Sequence, residues 1–152
     1  MLYLGPARPL LRAWKERGLR RASSLAAEVV AGRLAAPQAD VVTFVPPNAL
    51  RQLGRGHHPA VELAACLGTR WGISSGALLD RRGARRRQTG LGRAERGLNA
   101  AGAFTAVAAV PARVVLVDDV YTTGATVSAA AAALKNAGAA TVDVVTFART
   151  CR

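Results

Sequence analysis

Apolar residues along the chain fall into two kinds of run, one spaced for helices and one unbroken as in buried strands. Between Ser23 and Leu34, the residues Leu25, Val29, Val30 and Leu34 share one helical stripe, and Gly18 separates this helix from a shorter one expected around Leu10–Arg17. Val41–Val45 is continuous and rich in β-branched residues, which suits a short strand. Pro46-Pro47 ends it, because neither residue can donate to a ladder. Pro59–Leu67 reads as a helix with Pro59 in its first turn, Val61, Ala64, Ala65 and Leu67 on or near one face, and Gly68 as its stop. Farther on, Arg113–Val117 predicts a strand, Gly124–Ala137 an alanine-rich helix halted by Gly138, and Val142–Phe147 a further strand. Strands this apolar are covered on both faces, so the last strand–helix–strand unit is expected to be parallel with a right-handed crossover. The element order predicts an α/β fold, mainly a parallel central sheet flanked by helices.

One stretch breaks the pattern. From Asp80 to Gly102 there are five arginines within Arg81–Arg87, four glycines within Gly83–Gly97, and few large apolar residues. This composition predicts a long, basic, flexible loop, with a short helical turn around Ala94–Leu98.

With 152 residues the chain is sized for a single domain, 1–152, made of an N-terminal helical segment (1–35), the α/β body and the basic loop (80–102). A hydrophobic content of 51% gives it enough apolar surface to fold despite a net charge of +12, which argues against wholesale disorder. Cys66 and Cys151 lie far apart and form no C-x-x-C pair, so a zinc ribbon or disulfide framework is not expected. Cys66 falls on the apolar side of its helix and reads as core. The N-terminal residues are interrupted by Gly5, Pro6 and Pro9 and lack the apolar run of a signal peptide. Asp118, Asp119 and Gly124 interrupt the apolar stretch from Val114 towards Leu134, so no membrane span is expected and the assigned location is the cytoplasm. The positive charge is carried almost wholly by arginine, since only Lys15 and Lys135 are lysines. It favours polyanionic partners, either nucleic acid or a phosphorylated small molecule.

The segment with the clearest chemistry runs from Val114 to Thr126, Val-Val-Leu-Val-Asp-Asp-Val-Tyr-Thr-Thr-Gly-Ala-Thr. A buried strand ending in two carboxylates leads through hydroxyls and a glycine to a helix N-terminus, where unpaired N–H groups and the helix dipole favour an anion. Thr122, Thr123 and Thr126 can add hydroxyl donors, and Gly124 lets the backbone approach a phosphate closely. Asp118 and Asp119 would repel a bare phosphate, so they fit only if sugar hydroxyls, a metal ion or both lie between. The expected ligand is a sugar phosphate. No lysine follows a glycine and no G-x-G-x-x-G occurs, which excludes a Walker A loop and a dinucleotide fingerprint. His57-His58 is a weak metal motif, because adjacent residues rarely direct both rings at one ion.

This run resembles the phosphoribosyl-diphosphate-binding signature of type I phosphoribosyltransferases, matching at nearly every position. Two further segments narrow the resemblance to the ComF family. One is Arg87-Gln88-Thr89-Gly90-Leu91 with Arg96, Asn99 and Gly102-Ala103-Phe104; the other is Arg51 and Arg55-Gly56 after Val45-Pro46. Lys15, within Trp14-Lys15-Glu16-Arg17-Gly18, is similar to an N-terminal basic motif of that family. The chain departs from the family in lacking the four-cysteine zinc module that many relatives carry at the N-terminus, and in having His57-His58-Pro59 where Phe-Asn-Gln is usual.

The resemblance implies a type I phosphoribosyltransferase fold and Mg²⁺-dependent displacement of diphosphate at the anomeric carbon of phosphoribosyl diphosphate. Asp118 and Asp119 would bind the ribose 2′- and 3′-hydroxyls and hold the metal indirectly, through water or those hydroxyls. Val120, Tyr121, Thr122, Thr123, Gly124, Ala125 and Thr126 would form the 5′-phosphate site. Pro46 and Pro47, with Arg51, Arg55 and Arg85, would face the diphosphate, and Arg87 would act in the reaction. Solvated charge is the alternative for Arg51 and Arg55, and carries at least equal weight for Arg81 and Arg82. The acceptor is left open, and so is a non-catalytic sensor of phosphoribosyl diphosphate. Type I relatives often form homodimers, but no segment of this chain is decisive, so the oligomeric state is left open as well. ComF proteins are linked to DNA uptake and competence, which adds single-stranded DNA as an alternative partner. Against that partner, aromatics make up only 5% of the chain and none lies between Gly72 and Leu98 to stack bases.

Overall fold

The computed structural model describes residues 11, 14, 20–47, 57–81 and 102–150. Its elements are α1 (Arg20–Ala31), β1 (Val41–Phe44), α2 (Pro59–Trp71), β2 (Leu79–Arg81), β3 (Phe104–Ala106), β4 (Arg113–Tyr121), α3 (Ala125–Asn136) and β5 (Thr141–Arg149). The strands β1, β4 and β5 form a parallel sheet in that spatial order, with Val41 opposite Val114 and Val114 opposite Val142. The backbone at Ser74–Gly76 extends the sheet beyond β1. Val42 N–H donates to the Ser74 carbonyl (2.9 Å), and Gly76 N–H donates to the Val42 carbonyl (3.0 Å).

Two cores follow from the period-2 alternation of these strands. On one face Val42, Val115, Val117, Val145 and Phe147 pack with α1 and α2 through Ala26, Ala27, Leu63, Ala64 and Leu67. On the other, Val114 and Leu116 pack with Val127, Ala130 and Leu134 of α3 and with Leu78, Leu79 and Phe104 around the antiparallel β2–β3 ribbon. The expected α/β architecture, a parallel central sheet flanked by helices, is what the chain adopts.

Several boundaries differ from the sequence reading. The buried side of α1 is Ala22, Ser23, Ala26, Ala27 and Val30, whereas Leu25 (49% exposed) and Leu34 (48%) face outward. The helix ends at Ala31, so the helical stripe does not reach Leu34, and Leu25 lies off the face formed by Ala22, Ala26 and Val30. Helix α2 does not stop at Gly68. It continues to Trp71 and closes at Gly72, whose φ of 67° is the left-handed cap conformation. Gly68 serves packing instead: a Cβ there would stand 2.7 Å from the Ile73 carbonyl oxygen and 3.1 Å from the Ser75 Cβ, where the chain folds back toward the sheet. Ala65 is exposed, and Leu63 takes the fully buried position. Asp80 and Arg81, read as loop, belong to β2 and pair with Thr105 and Phe104.

The strand expected over Arg113–Val117 runs on to Tyr121, so Asp118 and Asp119 lie within β4 rather than after it. The partner strand explains this: β5 stays in register through Asp118 with Thr146, Val120 with Ala148 and Tyr121 with Arg149. β1 leaves earlier, its last pair being Phe44 with Val117.

At the opposite end of the sheet, Asp40 and Arg113 lock the register of β1 against β4. Arg113 Nη2 lies 2.6 Å from Asp40 Oδ1, Arg113 N–H donates to Oδ2 (2.9 Å), and Asp40 N–H donates to the Arg113 carbonyl (2.9 Å). The guanidinium holds the Asp40 carboxyl below the usual carboxylate range.

Of the N-terminal helix expected around Leu10–Arg17, Leu11 and Trp14 are described; both are helical and fully buried. Trp14 meets Phe147 edge-on at 6.2 Å between centroids. Its indole N–H donates to Glu62 Oε2 (3.1 Å), which also accepts from the Ser23 hydroxyl (3.0 Å). Among the described residues no helix is long and apolar enough to cross a membrane.

Candidate phosphoribosyl site

In a parallel sheet the carboxyl ends of the strands and the turns that follow them line one edge, where ligands of α/β proteins bind. Here that edge is uneven. β1 ends at Phe44, Val45 N–H makes a last bond to the Val117 carbonyl (2.9 Å), and the Pro46-Pro47 turn departs. Beyond Val117, β4 continues with β5 alone, so Asp118 to Tyr121 stand past the end of β1.

The turn from β4 into α3 is ordered by its own short side chains. Asp118 Oδ1 accepts the Asp119 N–H (2.9 Å), and Thr123 Oγ1 accepts the Ala125 N–H (3.4 Å). Gly124 is the N-cap residue at φ 80°, with no side-chain cap of its own. An N-terminus built this way keeps its first turn open to an anion. Asp118, Val120, Tyr121, Thr122, Gly124, Thr126 and Val127 enclose an open cleft of about 180 Å³.

Tyr121 forms one wall. A Cβ at Gly124 would collide with its hydroxyl and sit 2.7 Å from its Cζ, so the ring rests on the glycine. The Arg149 guanidinium lies 5.5 Å from the ring centroid, and the Tyr121 carbonyl accepts the Thr150 N–H (2.9 Å). At the other flank, Arg81 Nε–H donates to the Pro46 carbonyl (3.2 Å) and the guanidinium covers the Phe104 ring at 4.7 Å.

The structure thus gathers Asp118, Val120, Tyr121, Thr122, Gly124 and Thr126 in one cleft. Asp119, Thr123 and Ala125 are adjacent but do not line it; Thr123 supports the helix start instead. Pro46 and Pro47 follow β1 at the same sheet edge. Arg51, Arg55, Arg85 and Arg87 lie outside the described residues, as do Lys15, Gln88, Arg96 and Asn99. Val127, Arg149 and the anchoring of Arg81 were missed. Val127 shows only once α3 is seen to turn its first buried side chain toward the cleft, and Arg149 only through strand register. His57 binds the Trp14 carbonyl through Nε2 (2.7 Å), a structural use of the ring. Burial, and after it the neighbouring His57, push His58 below its ordinary value. Among the described residues no three His, Cys, Asp or Glu side chains group as a metal site.

Comparison with known proteins bears on the same segment. Residues 111–150 match the phosphoribosyl transferase domain family. No curated protein matches the chain. Among solved structures, glutamine phosphoribosylpyrophosphate amidotransferase from B. subtilis is 25% identical with a TM-score of 0.61, over 84% of this chain and 26% of that one. A structure described as the allosteric regulatory enzyme of purine biosynthesis shows the same identity and coverage at a TM-score of 0.59. Adenine phosphoribosyltransferase from Thermoanaerobacter pseudethanolicus shares the fold at 16% identity and a TM-score of 0.53, over 88% of this chain and 83% of that one. This chain spans about a quarter of the length of the first two. The domain match falls on β4, α3 and β5, and these neighbours share the chain's fold.

Proposed function

We propose that the chain is a ComF-type phosphoribosyltransferase that binds phosphoribosyl diphosphate at the β4–α3 turn and displaces diphosphate from the anomeric carbon. The observation carrying this reading is the cleft in which Asp118 and the open α3 N-terminus lie side by side, within the segment that matches the phosphoribosyl transferase domain. A helix N-terminus with Thr122 and Thr126 beside it suits the 5′-phosphate. The carboxylates of Asp118 and Asp119 suit the ring hydroxyls, which donate hydrogen bonds where a phosphate could not.

The donor set also fits Mg²⁺. This hard cation is commonly held by one or two carboxylates together with substrate phosphates and water; Asp118 offers one carboxylate at the cleft and Asp119 a second beside it. When bound, it would neutralise charge on the departing diphosphate. The protein's own part is to orient the pentose: the carboxylates hold the ring while the turn fixes the phosphate. The bond from the anomeric carbon to the diphosphate oxygen breaks as positive charge builds on the ring, a bond to the acceptor forms, and the acceptor's proton passes to solvent. No side-chain nucleophile is needed. The link to DNA uptake belongs to the same proposal, with DNA ends among the acceptors to be tried.

The test is calorimetric binding of phosphoribosyl diphosphate with Mg²⁺ to the wild type and to an Asp118→Asn, Asp119→Asn double variant, followed by diphosphate release against nucleobases, amines and DNA ends. Loss of affinity in the variant is expected; equal affinity would remove the carboxylates from the site.

A further inference from the structure

We propose that Arg81 supplies the positive charge of the turn after β1 and is a fixed contact for the diphosphate; this rests on the phosphoribosyl-diphosphate reading above. The turn has a chemical deficit. Pro46 and Pro47 carry no backbone N–H, so the two residues that would face an anion present carbonyls and no donors. A turn of this composition attracts a diphosphate only if a neighbour brings the charge, and Arg81 is placed to do so.

Three constraints hold it there. Its Nε–H donates to the Pro46 carbonyl at 3.2 Å, so the negative end of that dipole is turned onto the guanidinium. Its planar group covers Phe104 at 4.7 Å, and Phe104 is both buried and directly opposite Arg81 in the ribbon register. The strand carrying it is tied at its other end as well, because Leu78 N–H donates to the hydroxyl of Thr43, a fully buried residue of β1. Thr43 and Pro46 therefore anchor β2 at both ends, and the cation is positioned before any ligand arrives. Arginine suits this task better than lysine, since its delocalised charge persists while one N–H is bonded and one face is stacked.

The experiment is titration calorimetry of the full chain with two probes in Mg²⁺ buffer, inorganic diphosphate and ribose 5-phosphate, for the wild type, Arg81→Gln and Arg81→Lys. Thermal melts verify folding. Arg81→Gln should weaken diphosphate about tenfold and leave ribose 5-phosphate within about twofold, as expected for one charged contact confined to one end of the site. Arg81→Lys should recover only part of the diphosphate affinity, because the ammonium keeps the charge but not the bonded, stacked placement. Unchanged diphosphate binding in Arg81→Gln, or an equal loss of both ligands, overturns the assignment and leaves the parent reading standing. A wild type that binds neither probe overturns both.

Discussion

The phenol ring of Tyr121 lies in the space that a side chain on Gly124 would occupy. Glycine is required there twice over, by that contact and by a φ of 80°. A left-handed conformation costs an L-residue about 1–2 kcal/mol before any collision. Gly124→Ala should therefore displace the ring and the first turn of α3 together, weakening ribose 5-phosphate binding about tenfold or more. Adding Tyr121→Ala relieves the collision but not the backbone strain, so the double variant should regain stability only in part. Calorimetry and thermal melts of the two variants check this.

Glu62 joins the N-terminal helical residue Trp14 to α1 and α2. Its Oε2 accepts from both the Trp14 indole and the Ser23 hydroxyl. Glu62→Ala takes the acceptor from the Trp14 indole N–H, at about 1–3 kcal/mol while that donor stays buried. Trp14→Ala removes a fully buried ring from the Phe147 contact and should cost about 3–5 kcal/mol. Urea unfolding should show both losses, with the midpoint of Trp14→Ala the lower.

Gly68 tests how tightly α2 lies on the chain that follows it. Its α-carbon faces the Ile73 carbonyl, with 2.7 Å available to a Cβ. Alanine normally favours a helix interior, yet here Gly68→Ala should destabilise by about 1–3 kcal/mol as Ile73–Ser75 is pushed from the edge of β1. A more stable variant would show that this segment yields freely.

The Asp40–Arg113 pair sets a pH dependence. The folded-state pKa of Asp40 is depressed, first by the Arg113 side-chain hydrogen bond and then by the Arg113 backbone N–H. Its stabilisation is thus complete above the unfolded carboxyl value, about 3.9, and fades as pH falls through the lower folded value. Asp40→Asn should lower the melting temperature at neutral pH and flatten its decline in acid. The pair is solvent-exposed, so added salt should shrink the difference.

The fold and one half of the candidate site were legible in the sequence because both rest on local pattern. Continuous apolar strands gave the parallel sheet, and the run Asp118 to Thr126 packs acids, hydroxyls and glycine into one turn. The features that were missed depend on residues far apart in the chain. Gly68 reads as a helix stop until Ile73 is seen against it. Leu25 and Leu34 read as core until the helix is seen to end at Ala31 and to turn Ala22, Ala26 and Val30 inward. Arg81 reads as the first of a solvated arginine run, and only the ribbon pairing with Phe104 and the bond to Pro46 reveal an anchored cation.

The two ends of the central sheet are built for different tasks. The bonds between Asp40 and Arg113 hold β1 against β4 at the margin remote from the cleft, whereas at the cleft margin β4 and β5 keep their own ladder through Tyr121 and Arg149. Thr122 lies outside that ladder, so substitutions there should leave the scaffold intact, which makes the turn, rather than Arg149, the place to diversify when testing the proposed acceptors.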